Sequence, residues 1–366
     1  MFGRILISLC TLMQIYVFWR AASAPLIAAH MPRKLLVGIA VLTWAVFFLG
    51  RVYGHHRTGA TAVILEFLGM NWMGVLLLLF VSLLAVDVLT GFGFFLRRQA
   101  PALRGWALAV GGILSMVALV QGLRAPVIRP YEVRLPGLSA ELDGTVLVAI
   151  SDLHVGSLLG RRWLASRIAQ VQAQRPDILV LLGDIFEGHD PPSDEIMTAM
   201  RGFSAPLGVW AVAGNHEFHG RRNKSPELMG RPGFRWLRNR WVEIRPGLVL
   251  AGVDDLTSMR RAGLSGDSIS QTLSDRPAGA TVLLSHTPWQ AEKAAAAGAG
   301  LMLSGHTHGG QLWPFGYLTR RVYPLLAGRY EVDGMPVIVC RGTGTWGPRM
   351  RLWHPAEILR VTLKKS

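Results

Sequence analysis

The sequence predicts a molecule of two unlike parts: a bundle of about four apolar transmembrane helices over residues 1–124, and a layered α/β domain over residues 145–366. Three observations point there. Four apolar stretches near membrane-spanning length recur before residue 125. Residues 1–124 hold ten Lys/Arg against two acids, Glu66 and Asp87, whereas the remainder holds 28 against 21. From Thr145 onward, short apolar runs alternate with helical segments, as layered α/β domains do. A length of 366 residues also suits two domains better than one.

The apolar stretches cover residues 5–19, 35–50, 72–96 and 105–122. A hydrocarbon core about 30 Å thick, at 1.5 Å of helical rise per residue, asks for roughly 20 residues per crossing. The second stretch reaches that length by recruiting Lys34 or residues 51–53. Arg4, an apolar core and Ala22-Ser23-Ala24 give the first stretch a secretory-signal reading as well, which Arg20 and Pro25 disfavour. Asp87 lies inside the third stretch, where a carboxylate needs a polar partner. It is either a functional group or a helix-packing one. Residues 125–144, with Pro126, Pro130 and Pro136, read as an extended connector.

An even number of crossings places the α/β domain on the side of Met1. The positive-inside count, five bases against six, does not orient it, and the cytoplasmic side is the expectation carried forward. The net charge of +15 invites nucleic acid, but the bases flank apolar runs or are scattered, so the lipid bilayer is the expected partner and nucleic acid is not. Cys10 and Cys340 are too few for a disulfide framework.

In the second part, strands are expected at 146–150, 178–182, 209–212, 248–252, 281–284, 301–303, 337–339 and 358–363, with a helix at 161–174. Five of these strands end in metal-ligand residue types: Ser151-Asp152-Leu153-His154, Gly183-Asp184, Gly214-Asn215-His216-Glu217, Ser285-His286 and Gly305-His306-Thr307-His308. Ligands of α/β sheets gather at that rim. On extended backbone an i, i+2 pair such as Asp152/His154 or His306/His308 presents two side chains to one face. Gly183, Gly214 and Gly305 permit tight turns and close backbone approach. Three hard oxygen donors and four imidazoles are too many for one ion. Two ions about 3.5–4 Å apart, sharing a carboxylate, suit phosphoryl displacement.

This ordered set, D-x-H, G-D, G-N-H-E, H and G-H-x-H, resembles the calcineurin-like metallophosphoesterase superfamily. The resemblance implies an α/β metallophosphoesterase sandwich with a dimetal site at the strand C-terminal ends. It further implies that Asp152, His154 and His308 bind one metal and Asn215, His286 and His306 the other, with Asp184 bridging. His216 would be the catalytic acid, and a metal-bridging hydroxide the in-line nucleophile. Two divalent ions are expected, Mn²⁺ favoured, with Fe or Zn²⁺ open. Gly305 to Gln311, Arg341-Gly342-Thr343-Gly344-Thr345 and Pro355-Ala356-Glu357-Ile358 are similar to the membrane-associated bacterial branch related to UDP-2,3-diacylglucosamine pyrophosphatases, which act in lipid A biosynthesis. The spans look like those of transmembrane proteins carrying a metallophosphoesterase domain.

A lipid-linked phosphodiester or pyrophosphate, such as a UDP-diacyl-sugar, is therefore the expected substrate. The alternatives are broad phosphodiesterase action on soluble esters, or a non-catalytic membrane scaffold. Two basic, aromatic stretches, residues 221–241 and residues 312–330 with Arg320 and Arg321, are expected to meet the bilayer and bind a phosphate-bearing substrate on its way to the metal site, the alternative being solvated loop surface. Arg349 and Arg351 follow a Gly-rich loop and are expected either to pair bidentately with a substrate phosphate or to form surface pairs. His189, His219, Asp254 and Asp255 carry no assigned role.

Overall fold

A computed structural model describes residues 2–54, 59–187, 192–218, 233–264 and 266–366. Two compact units emerge: residues 1–124 with 347–353, and residues 125–346 with 354–366.

In the first unit four helices are long and apolar enough to cross a membrane: α1 (Phe2–Ala21), α3 (Arg33–Val52), α4 (Ala60–Leu89) and α5 (Ala100–Leu123), with a short α2 (Pro25–His30) after the first. The third is displaced from its expected position. It begins twelve residues earlier, and ends at Leu89 because Gly91, Phe92 and Gly93 all adopt positive φ. The added turns carry Gly69, whose Cα lies against α3. A Cβ there would come within 2.7 Å of Val46 O. Small residues at such crossings let backbones approach where no hydrophobic force drives helices together. Asp87 is fully buried. It accepts hydrogen bonds from Tyr16 Oη at 2.5 Å and Arg104 Nε at 3.0 Å, and pairs with Arg20 Nε at 2.6 Å, so it ties α1, α4 and α5. Gln14 adds a second polar node, donating to Thr43 Oγ1 at 2.8 Å and accepting from Trp72 Nε1 at 2.9 Å.

The second unit is a sandwich of two six-stranded sheets. The first sheet takes β1 (Val127–Leu135), β12 (Glu357–Lys365), β2 (Val146–Ile150), β3 (Ile178–Leu181), β4 (Val209–Ala211) and β5 (Arg235–Trp236), in that spatial order. The second takes β10 (Gly328–Val332), β11 (Met335–Val339), β9 (Leu301–Ser304), β8 (Ala280–Leu284), β7 (Leu248–Gly252) and β6 (Arg240–Arg245). Strands β2 to β5 run parallel, as do β7, β8, β9 and β11. Their sequences are almost continuously apolar because both faces are covered. Leu147, Val180, Leu250, Val282, Leu303 and their neighbours fill the space between the sheets. The alternate residues pack outward. Val148, Leu179 and Ala211 meet residues of α6 (Arg161–Gln172) and α7 (Asp194–Met200). Ala251, Leu283 and Met302 meet α8 (Leu256–Arg261), α9 (Ser268–Leu273) and α10 (Ala291–Ala296).

Several expectations change. Residues 125–144 are extended but not a free connector, since β1 pairs in parallel with β12 over nine residues. The basic stretch 221–241 is partly sheet edge: Arg235 and Trp236 form β5, Trp236 is buried, and Arg238 forms an ion pair with Asp254. Arg221, Arg222, Lys224 and Arg231, like His189 and His219, lie outside the described residues. Arg349 and Arg351 belong to the 347–353 segment that packs with the helices. The backbone N–H of Arg351 donates to Ala118 O at 2.9 Å, and the residue is 0% exposed. Its side chain is buried, not an exposed surface group. Arg349 is fixed in the same segment, its carbonyl against Gly122.

Candidate metal centre

The parallel strands of both sheets end at one rim, and the turns that follow bring the expected side chains together. Asp152 and His154 follow β2, Asp184 follows β3, Asn215 and His216 follow β4, His286 follows β8, and His306 and His308 follow β9. Five of these residues, Asp152, His154, Asp184, His306 and His308, adopt φ between 45° and 71°. That left-handed backbone is costly for residues with a side chain and persists where the surroundings over-determine it. The i, i+2 pairs are thus presented by turned backbone, not by the extended alternation expected of them.

Glycines serve two separate needs here. Gly183 has φ +89°, which only glycine adopts readily. Gly214 and Gly305 are needed for space, since a Cβ on Gly214 would strike Asp184 and one on Gly305 would strike Ser151 Oγ. Glu217 secures the same turns. Its carboxylate accepts from the backbone N–H groups of Asp184 at 2.9 Å, Ile185 at 3.0 Å, Phe186 at 3.3 Å and Gly214 at 2.8 Å.

Among the described residues three donor triads result, each with ligand atoms within 4.8 Å of one another: Asp152, His154 and His308; Asp184, His286 and His306; and a third, His154, Asp184 and His216, that shares members with the first two. His154 Nε2 lies 3.2 Å from His308 Nε2, and His308 Nε2 lies 3.4 Å from Asp152 Oδ1. His286 Nε2 lies 3.2 Å from both Asp184 Oδ2 and His306 Nδ1. Asp184 Oδ2 is also 3.9 Å from His154 Nε2, so it stands between the first two triads. His216 approaches Asp184 Oδ2 with Nε2 at 4.0 Å, and Glu187 Oε2 with Nδ1 at 3.5 Å.

Oxygen and imidazole donors packed this closely fit cations. Asp152 Oδ1 and Asn215 Oδ1 are buried without a hydrogen-bond partner, a costly condition unless an ion takes the lone pair. The electrostatics agree. Burial opposes the charged form of Asp184, yet the charge of His286 holds it well below the usual carboxylate range, while burial keeps Asp152 above it. His154 is likewise opposed by burial but pulled up to about 9, chiefly by Glu187. His286 is raised by Asp184 against its burial, and burial beside His286 takes His306 down to about 4. The buried carboxylates draw positive charge toward themselves. Oxygen and imidazole donors in this mix suit a divalent transition metal.

Residue types alone did not mark three participants. Glu187 binds His154 Nδ1 at 2.5 Å, Tyr323 binds His306 Nε2 at 2.8 Å, and Asp255 accepts from Thr287 Oγ1 at 2.5 Å beside His286. Asp255 also caps α8.

Comparison with known proteins agrees with the class that this sandwich and its rim define. The profile of the calcineurin-like phosphoesterase family matches residues 145–310. A metallophosphoesterase of Aquifex aeolicus is 35% identical over 218 residues, 58% of this chain and 83% of the relative. One of Campylobacter jejuni is 28% identical over 254 residues, 69% of this chain and 67% of the relative. A transmembrane protein with metallophosphoesterase domain from Danio rerio is 29% identical over 331 residues, 82% of this chain and 74% of the relative. The chain belongs to the calcineurin-like phosphoesterases, enzymes of metal-dependent phosphoester hydrolysis.

Proposed function

We propose that this chain is a two-metal phosphohydrolase in which Asp152, His154 and His308 hold one ion, Asn215, His286 and His306 the other, and Asp184 is shared, with Mn²⁺ the favoured metal. The observation that carries this reading is the meeting of the first two donor triads on the Asp184 carboxylate. When bound, such an ion pair supplies the positive charge and the acidified water that displacement at phosphorus requires. His216 would supply a proton to the leaving oxygen, and Glu187, 3.5 Å from its Nδ1, orients the ring. Glu217 fixes the turns that carry Asp184 and Asn215.

The substrate class we favour is a lipid-linked phosphodiester or pyrophosphate, such as a UDP-diacyl-sugar, drawn from the membrane that the four apolar helices suit. Helix α11 (Gly316–Val322) and the loop before it follow His308 in the chain and expose Trp313, Phe315, Tyr317 and Leu318 beside the exposed Arg320 and Arg321. Aromatic and basic side chains in company favour a lipid interface.

Detergent-solubilised protein in Mn²⁺ is expected to hydrolyse a soluble bis-aryl phosphodiester. Asp184→Ala should lower that activity by about 10²–10³-fold, the scale of removing one preorganised charge-stabilising group. Reversal of Arg320 and Arg321 to Glu should reduce hydrolysis of a lipid pyrophosphate in anionic vesicles more than hydrolysis of the soluble ester. Equal losses on both would favour action on soluble esters.

A further inference from the structure

We propose that Tyr323 is a positioning residue for His306, holding the ring in the orientation in which Nδ1 faces the metal. The inference rests on the assignment of His306 as a ligand given above. Two other imidazoles of the cluster give their outer nitrogen to groups that only accept. His154 Nδ1 meets the Glu187 carboxylate at 2.5 Å, and His286 Nδ1 meets the Leu182 carbonyl at 2.6 Å. In the neutral, ligating ring the proton therefore sits on Nδ1, and the Nε2 lone pair faces inward.

His306 is turned the other way round. Its inward nitrogen is Nδ1, 3.2 Å from His286 Nε2, and its outward nitrogen is Nε2, 2.8 Å from the Tyr323 hydroxyl. A hydroxyl can donate or accept, so this partner alone does not dictate the tautomer as a carbonyl would. With Nδ1 as the ligand, the proton lies on Nε2 and Tyr323 accepts it.

The phenol is held for that task. It meets the His306 ring edge-on, with centroids 4.8 Å apart and planes at 73°, and stacks on Trp289 at 5.3 Å and 19°. Trp289 in turn donates from Nε1 to Val322 O at 3.2 Å. The Tyr323 N–H donates to Thr319 O at 2.8 Å, closing the end of α11. The second ion's ligand is thus steadied from the aromatic, basic segment that follows His308. The outer partner of a ligating histidine holds its ring orientation, and its loss costs about 10–100-fold in metal affinity.

The test is a Mn²⁺ titration of metal-stripped, full-length protein in detergent, followed by calorimetry and electron paramagnetic resonance. Wild type should fill two sites and give the signal of a coupled pair. Tyr323→Phe keeps the ring that stacks on Trp289. It should bind one ion as wild type does and the other about 10–100-fold more weakly, leaving the hyperfine-split signal of isolated Mn²⁺ where wild type shows coupling. Unchanged affinity at both sites, or equal weakening at both, overturns the inference. His306→Ala is the reference. If it retains both ions, the ligand assignment itself fails; if it loses one while Tyr323→Phe loses none, only the role of Tyr323 falls.

Discussion

His216 lies between two carboxylates, Nε2 toward Asp184 and Nδ1 toward Glu187, and its backbone N–H donates to Asp184 Oδ1 at 2.8 Å. Its side chain is 15% exposed, the most open of the motif imidazoles whose pairs with Asp152 or Asp184 are described, as befits a group that meets a leaving oxygen. His216→Gln should therefore lower kcat by about 10²–10⁴-fold, the span of general acid catalysis, while metal content stays at the wild-type value. Elemental analysis beside steady-state kinetics separates the roles: loss of an ion with the activity would make His216 a ligand, a use its closeness to His154 and Asp184 also allows. The motif residues were legible because their types and order are chemical facts of the sequence. The orienting roles of Glu187, Glu217 and Tyr323 were not legible, although Glu217 lay in a motif and Tyr323 in a segment expected at the bilayer, because a carboxylate or phenol becomes an orienting group only through the atom it meets, here 17 to 33 residues away along the chain.

Among the elements, α4 shows how far a hydropathy reading goes. Its thirty residues span about 45 Å at 1.5 Å per residue, more than a hydrocarbon core of about 30 Å, so tilt or overhang accompanies any crossing. The apolar run located the helix but missed its first turns, which hold Glu66 and are defined by packing at Gly69. Asp87 near its other end was ambiguous in sequence, and the structure makes it the shared partner of Arg20, Arg104 and Tyr16. Asp87→Ala leaves two guanidinium groups buried without their carboxylate, so the helical unit should lose roughly 3–5 kcal/mol. Thermal unfolding in detergent, followed by helical circular dichroism, measures this. An unchanged midpoint would mean that both arginines reach water.

The whole molecule divides into two units, residues 1–124 with 347–353 and residues 125–346 with 354–366. A cation bound only by the folded sandwich stabilises it by mass action, about 2.7 kcal/mol when the free ion is at one hundred times its dissociation constant. Chelation should therefore lower the unfolding midpoint of the β-rich unit, and Mn²⁺ should restore it. Calorimetry with and without chelator tests this, and coincident curves would sink the idea.

By itself the sequence determined four apolar helices, an α/β domain and the ordered residues that mark a metallophosphoesterase, because hydropathy, periodicity and motif chemistry are local properties. Only the tertiary structure decided that residues 127–135 join a sheet, that the Arg351 backbone bonds to Ala118 of α5, and that Asp184 stands between two donor triads. Those outcomes depend on which strands pair and on the left-handed turns at their ends, where side chains distant in the chain meet within hydrogen-bonding reach.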